Sequence, residues 1–192
     1  MKRSTATISI PNILTVVRIL LTPLFVLLLL RQLYPQALLV FALAGLTDGL
    51  DGFIARYFNQ RTVLGAYLDP TADKLLLVSA YVMLLVLEVI PDWVAVIVIT
   101  RDVIIVLGIL ILTLTAKTYE VRPSLVSKCT TMSQIVLVLL SLFDPTGAKL
   151  QALHAPLWWS TAILTFLSGL HYIYVGMHIL QESDEQRGGK GN

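Results

Sequence analysis

The sequence has 192 residues, of which 56% are hydrophobic and only 14% are charged, and its mean hydropathy is +0.80. These values exclude an ordinary soluble domain, and a net charge of +2 gives no strongly basic surface for nucleic acid. The single cysteine, Cys129, excludes an internal disulfide.

Apolar runs of about 20 residues recur along the chain, and a helix of that length crosses a hydrocarbon core about 30 Å thick. Because helices satisfy their own backbone hydrogen bonds in lipid, the sequence predicts an all-α polytopic membrane protein with six transmembrane helices. Short polar or proline-containing segments separate the predicted spans. These spans are residues 12–33, 37–57, 69–90, 93–116, 124–143 and 156–180.

The first apolar run follows Lys2 and Arg3, which is the order found in a signal peptide. The run is long, contains Arg18 and Pro23, and precedes no small-residue cleavage pattern, so we expect it to be retained as the first helix. We expect residues 1–180 to form one membrane domain. The polar residues 181–192 lack apolar side chains and are predicted to be a disordered tail.

Lysine and arginine are distributed unevenly among the loops and flanks, and the positive-inside rule places the N-terminus in the cytoplasm. Arg31 and Lys149 fall on the outer side, with Trp93, Trp158 and Trp159 as expected interfacial anchors. The cytoplasmic cations are Lys2, Arg3, Arg56, Arg61, Lys74, Lys117, Arg122, Lys128, Arg187 and Lys190.

Two pairs of aspartates interrupt the apolar pattern: Asp48 and Asp51 end the second predicted helix, and Asp69 and Asp73 begin the third. Residues three or four apart share one helix face, and helices joined by a short loop are antiparallel neighbours. The two pairs can therefore face each other at the cytoplasmic membrane face. Clustered carboxylates are the hard oxygen ligands that Mg²⁺ and Mn²⁺ prefer, so we predict a divalent-cation site.

Other interpretations of the aspartates remain open. Arg56, Arg61 and Lys74 could neutralise them, but three cations do not explain two face-matched pairs interleaved with Gly52 and Gly65, where small residues make room for a ligand. A membrane cation transporter would also carry intramembrane carboxylates, although on several helices near the midplane. A non-enzymatic scaffold would leave the cluster without a role.

One spacing pattern covers residues 48–73: Asp-x2-Asp-Gly-x2-Ala-Arg-x8-Gly-x3-Asp-x3-Asp. It resembles the signature of the CDP-alcohol phosphotransferases, and every fixed position agrees. The opening segment, residues 11–18, is similar to the family's first helix, so the resemblance covers essentially the whole chain. The matching residues are Asp48, Asp51, Gly52, Ala55, Arg56, Gly65, Asp69 and Asp73.

The resemblance implies phospholipid biosynthesis: a metal-dependent transfer of a phosphatidyl group from CDP-diacylglycerol to an alcohol, with release of CMP. It implies that Asp48, Asp51 and Asp69 bind two divalent cations, Mg²⁺ or Mn²⁺. Asp73 is then the general base and an additional candidate metal ligand. Homodimers are common in the family. The implied nucleotide-binding residues are Gly52, Ala55, Arg56 and Gly65.

Two basic residues are candidates for binding the acceptor. Arg101 lies in an apolar run beside Asp102, so it either pairs with that neighbour or binds an anionic ligand. Lys128 begins the fifth predicted helix and either reaches the same pocket or is an ordinary snorkelling lysine.

Two acceptors remain open within the family. Phosphatidylglycerophosphate synthases, which use glycerol 3-phosphate, typically carry Arg-Glu and a second arginine eight residues later, whereas this chain has Arg101-Asp102 and Ile109. The eukaryotic-type cardiolipin synthases, which use phosphatidylglycerol, resemble it over residues 41–48 and in the Pro-x3-Ser-Lys stretch that ends at Lys128. We favour phosphatidylglycerol as acceptor and keep glycerol 3-phosphate as the alternative.

Overall fold

A computed structural model describes the backbone of residues 10–57, 63–114 and 125–188, and the side chains of residues 14–47, 72–108 and 125–177. Over these ranges the chain is all-helical, which confirms the all-α part of the predicted fold class. The helices are α1 (Ile10–Leu30), α2 (Tyr34–Tyr57), α3 (Val63–Val86), α4 (Asp92–Leu114), α5 (Leu125–Phe143) and α6 (Gln151–Gly188).

The prediction of six membrane spans is not confirmed. Among the described residues, one helix is long and apolar enough to cross a membrane by length and composition, namely α5, Leu125–Phe143. Two shorter apolar helical stretches, Leu14–Leu30 and Tyr34–Thr47, accompany it. The six helices are therefore established for the described residues, and their number of membrane crossings stays a prediction.

Two helix boundaries differ from the sequence-based expectation. Helix α3 begins at Val63, ahead of the predicted start at Asp69, and so includes both Asp69 and Pro70. Helix α6 continues to Gly188, past the predicted end at Leu180, so residues 181–188 have helical backbone where the sequence predicted a disordered tail. Gln, Glu and Arg in that segment are good helix formers, and adding residues to an existing helix avoids a new nucleation step.

The chain divides into two compact units. Unit 1 comprises Met1–Val89 and Val138–Lys149, and in it α1 packs against both α2 and α3. The rings of Phe25 in α1 and Phe41 in α2 lie 5.6 Å apart between centroids. Helix α1 buries three polar side chains together with two apolar ones on one face, and it exposes large apolar side chains elsewhere. The buried residues are Thr15, Arg18, Thr22, Phe25 and Leu29, and the exposed ones are Val16, Val17, Leu20, Leu24, Leu27 and Leu30.

Unit 2 comprises Ile90–Leu137 and Leu150–Asn192. Helix α4 packs against α6, and a row of polar contacts joins α5 to α6. Ser133 and Thr161 hydroxyl oxygens lie 2.7 Å apart, and Gln134 Nε2 donates to Thr165 Oγ1 at 3.2 Å. The outward faces are apolar, with Phe166 and Leu170 among the exposed side chains. Like unit 1, this unit buries many of its polar side chains and exposes many large apolar ones.

Candidate active site

The family-like signature lies on two helices that contact each other within unit 1. Asp48 and Asp51 belong to α2, and Asp69 and Asp73 belong to α3. Both pairs lie in helical backbone, in which residues three or four apart share one helix face; that the two pairs face each other stays a prediction. Of these four residues, the structure describes the side chain of Asp73.

The remaining signature residues lie in helical backbone, but their side chains fall outside the described ones. They are Asp48, Asp51, Gly52, Ala55, Arg56, Gly65 and Asp69. Their arrangement around a metal and a nucleotide stays a prediction.

Asp73 forms an ion pair with Arg18 of α1, in which Arg18 Nη1 donates to Asp73 Oδ1. The Arg18 side chain is 1% exposed and that of Asp73 is 44% exposed. A buried guanidinium requires a hydrogen-bonded counter-charge, and Asp73 supplies one from a helix 55 residues away in the sequence. The Asp73 side chain is nevertheless partly exposed.

Arg18 is a site residue that sequence reasoning placed only within a matching segment, without a role. The signal for it is the spacing of Thr15, Arg18 and Thr22, which lie three and four residues apart on one face of α1. A polar face on an otherwise apolar helix indicates internal contacts in a membrane protein.

Arg101 of α4 is the centre of a second buried cluster, in unit 2. Its Nη1 donates to Asp102 Oδ1 at 2.8 Å. Its Nη2 donates to Ser127 Oγ of α5 at 2.8 Å and to Ser168 Oγ of α6 at 2.9 Å. The Tyr172 ring lies under the guanidinium, 5.6 Å from centroid to Cζ, which is a cation–π distance.

The structure thus shows Arg101 paired with Asp102, one of the two alternatives that the sequence left open, and binding of an anion by Arg101 stays a prediction. Both side chains of the pair are 5% exposed, and Arg101 Nε is buried without a hydrogen-bond partner. Sequence reasoning did not identify Ser168 and Tyr172 as neighbours of Arg101. Their signal is the polar series on α6 at helical spacing: Thr161, Thr165, Ser168 and Tyr172.

Lys128, the other predicted acceptor residue, is exposed on α5. Its neighbour Ser127 faces inward instead, because successive helix positions point about 100° apart. Among the described side chains the structure thus brings Ser127 to Arg101, and it does not bring Lys128 into that cluster.

The predicted metal ligands stay a prediction. Among the described side chains, no three His, Cys, Asp or Glu residues come together as a metal-binding group. Three of the four signature aspartates lie outside that set. The donors on α2 and α3 are all carboxylates at helical spacing, which is a hard-oxygen set that fits Mg²⁺ or Mn²⁺.

Comparison with known proteins places the chain in a family. Residues 8–174 match the family model for CDP-alcohol phosphatidyltransferase, and the chain belongs to that family.

The relatives that this chain matches are named as two different enzymes. The chain is 37% identical over 190 residues to human cardiolipin synthase (CMP-forming), an alignment that covers 90% of this chain and 63% of the relative. It is 34% identical over 186 residues to the CDP-diacylglycerol–glycerol-3-phosphate 3-phosphatidyltransferase of Sodalis glossinidius, covering 91% and 98%. The Streptomyces coelicolor cardiolipin synthase (CMP-forming) is 42% identical over 111 residues, covering 54% and 52%. The chain thus spans about 63% of the length of its human relative.

Proposed function

We propose that this chain is a phospholipid-synthesising phosphatidyltransferase that transfers the phosphatidyl group of CDP-diacylglycerol to phosphatidylglycerol, giving cardiolipin and CMP. The observation that carries the proposal is the complete aspartate signature on α2 and α3, in a chain that belongs to the family. Similarity to the human and Streptomyces cardiolipin synthases supports the choice of acceptor.

A bilayer setting is supported by the distribution of polar and apolar groups in each unit. Helices α1, α5 and α6 bury threonine, serine, glutamine and arginine beside some apolar side chains, and they expose many leucine, valine and phenylalanine side chains. Water would favour the opposite arrangement, whereas lipid favours this one because polar groups there need internal partners. The positive-inside rule then puts the signature at the cytoplasmic face, where lipid substrates enter directly from the membrane.

The proposed reaction is a single transfer in which one bond to phosphorus forms and one breaks. The acceptor hydroxyl oxygen attacks the phosphorus that carries the diacylglycerol, the phosphoanhydride bond breaks, and CMP leaves with the bonding electron pair. Asp73 takes the hydroxyl proton, for which it has a half-exposed carboxylate. Asp48, Asp51 and Asp69 would hold the divalent cations, which when bound neutralise charge on the leaving CMP.

The nucleotide end of the substrate is assigned to the small and basic signature residues. Gly52, Ala55 and Gly65 leave space beside the helices for the cytidine nucleotide, since none has a bulky side chain. Arg56 supports the site as a cation near the phosphates or as a brace for the aspartates.

Phosphatidylglycerol is favoured as acceptor because α4 offers few cations for binding a phosphate dianion. Arg101 stands without a second arginine at Ile109, and Asp102, Ser127 and Ser168 occupy its terminal nitrogens. A phosphate dianion such as glycerol 3-phosphate needs more charge-assisted donors than a neutral glycerol headgroup hydroxyl carried on a lipid phosphodiester.

Glycerol 3-phosphate is the second candidate acceptor, and one observation favours it. The Sodalis relative, whose name specifies that acceptor, aligns over 98% of its own length. The same aspartate site would serve either acceptor, so the two candidates differ only in the alcohol.

An acceptor panel distinguishes the two. Purified protein is incubated with CDP-diacylglycerol, Mn²⁺ and either phosphatidylglycerol or glycerol 3-phosphate, and the lipid products are separated by thin-layer chromatography. We expect cardiolipin from phosphatidylglycerol and little product from glycerol 3-phosphate. Asp92→Asn, a change of an exposed aspartate at the start of α4, is the matched control and should behave as wild type. Efficient use of glycerol 3-phosphate with no cardiolipin would establish the second candidate instead.

A further inference from the structure

Arg18 is a charged residue at the candidate site to which the proposed mechanism assigns no task. Its side chain is almost completely buried, whereas that of its partner Asp73 is 44% exposed. The pair therefore runs from the interior of unit 1 outward to the proposed base. Its buried end belongs to α1 and its exposed end to α3.

The position of Arg18 is fixed by the packing of α1. Thr15 and Phe25, on the same helix face, are both fully buried, and the Phe25 ring contacts Phe41 of α2. Thr22 Oγ1 donates to the Arg18 carbonyl oxygen at 3.0 Å. Rotating α1 to move Arg18 would turn Leu20 and Leu24 inward, where they would replace buried polar groups. The guanidinium is thus held in place before any substrate binds.

We propose that Arg18 is a positioning residue for phosphatidyl transfer: it holds the Asp73 carboxylate in one orientation toward the incoming acceptor hydroxyl. This inference rests on the proposed function and adds a residue outside the aspartate signature. A guanidinium hydrogen bond restricts rotation of a carboxylate more strongly than a neutral donor does. Arg18 is too deeply buried to meet substrate, so it acts through Asp73.

The test compares three arginine variants in steady-state kinetics. Arg18→Gln removes the charge but keeps a hydrogen-bond donor, and it should lower kcat about a hundredfold, the scale expected when a reacting group is misplaced by about 1 Å. The KM for CDP-diacylglycerol should stay within about twofold, because the effect falls on the transfer step. Arg18→Lys should lower kcat about tenfold, since an ammonium restores the charge without the planar fork. Arg31→Gln, at an exposed arginine just after α1, is the control and should match wild type.

A second measurement separates positioning from packing. Arg18→Ala is assayed with guanidinium chloride and with urea, which has the same shape but no charge, both far below unfolding concentrations. We expect guanidinium to restore part of the turnover and urea to restore none. Equal responses to the two would mean that Arg18 only fills space, and the proposal would be wrong.

Thermal unfolding in detergent accompanies the kinetics. If Arg18→Gln does not fold, Arg18→Lys decides: lower kcat with unchanged KM and melting temperature supports positioning. Wild-type kcat in Arg18→Lys, or in a folded Arg18→Gln, would overturn the proposal. Failure of the proposed function is a separate result, because wild type itself would then release no CMP from CDP-diacylglycerol.

Discussion

The two units each bury an arginine among apolar helices, and they treat that charge differently. In unit 1, Arg18 pairs with a carboxylate that is 44% exposed. In unit 2, Arg101 pairs with a carboxylate that is 5% exposed and also bonds serines from two further helices. The first pair leaves a carboxylate accessible for chemistry, whereas the second closes on itself and ties α4, α5 and α6 together. Of these two buried arginines, we therefore expect Arg18 to serve the reaction and Arg101 to serve stability.

The largest expected effect tests the aspartates of unit 1. Asp48→Asn, Asp51→Asn and Asp69→Asn should each lower turnover by about a thousandfold or more, because each removes a metal-ligating charge from a site that depends on electrostatic stabilisation. Release of CMP measures this, with circular dichroism as a check on folding. The exposed Asp92→Asn variant is the matched control. Substantial activity in any one of the three would remove that residue from the ligand set.

The Asp73→Asn variant tells whether Asp73 acts as the general base or as a metal ligand. It should also abolish turnover, because an amide cannot accept the acceptor proton. Binding of CDP-diacylglycerol, measured by displacement of a labelled cytidine nucleotide, should be largely kept if Asp73 acts mainly as the base. Loss of nucleotide binding would assign it a ligand role instead.

Unit 2 should respond in stability rather than in chemistry. Arg101→Gln takes the cation away from buried Asp102 and two serines, and breaking a buried charged pair costs about 3 kcal/mol. Thermal unfolding in detergent should show a clearly lower midpoint than Arg31→Gln, whose arginine is exposed. Unchanged stability together with a raised KM for the acceptor would instead make Arg101 a substrate ligand.

The smallest expected effect is an increase in stability rather than a loss. Gly169 of α6 lies against Arg101, and an added Cβ would stand 3.7 Å from Arg101 Cγ, which is ordinary van der Waals contact. Gly169→Ala should therefore raise stability by about 0.5 kcal/mol, since alanine is the better helix former. Gly176→Ala, where nothing lies within 4 Å of the added Cβ, is the matched control for propensity alone. A lower midpoint only in Gly169→Ala would mean that Arg101 cannot accommodate the methyl group.

The six helices of the described residues and the helical spacing of the aspartates could be predicted from sequence, because long apolar runs and i, i+3 or i, i+4 intervals are local properties. The start of α3 could not be predicted from sequence. Asp69-Pro70 has the composition of a helix start, with a capping aspartate followed by proline at the first helical position. The structure instead continues the helix back to Val63.

Tertiary partners were the harder part of the site. Arg101 and Asp102 are adjacent, so their pairing was among the expected outcomes. Asp73 meets Arg18 across 55 residues, and Ser168 meets Arg101 across 67. No local pattern tells which carboxylate or hydroxyl a buried cation will reach, because that depends on how the helices pack.

If the chain transfers phosphatidyl groups at its aspartate site, the reaction should require divalent cations. The most direct measurement follows CMP and cardiolipin together, with purified wild type, CDP-diacylglycerol and phosphatidylglycerol, before and after metal removal with a chelator. We expect the two products to form in equal amounts, their formation to stop when metal is removed, and Mn²⁺ or Mg²⁺ to restore it. Product formation that persists in a thoroughly chelated sample, or no release of CMP under any metal condition, would show that the chain is not a metal-dependent phosphatidyltransferase.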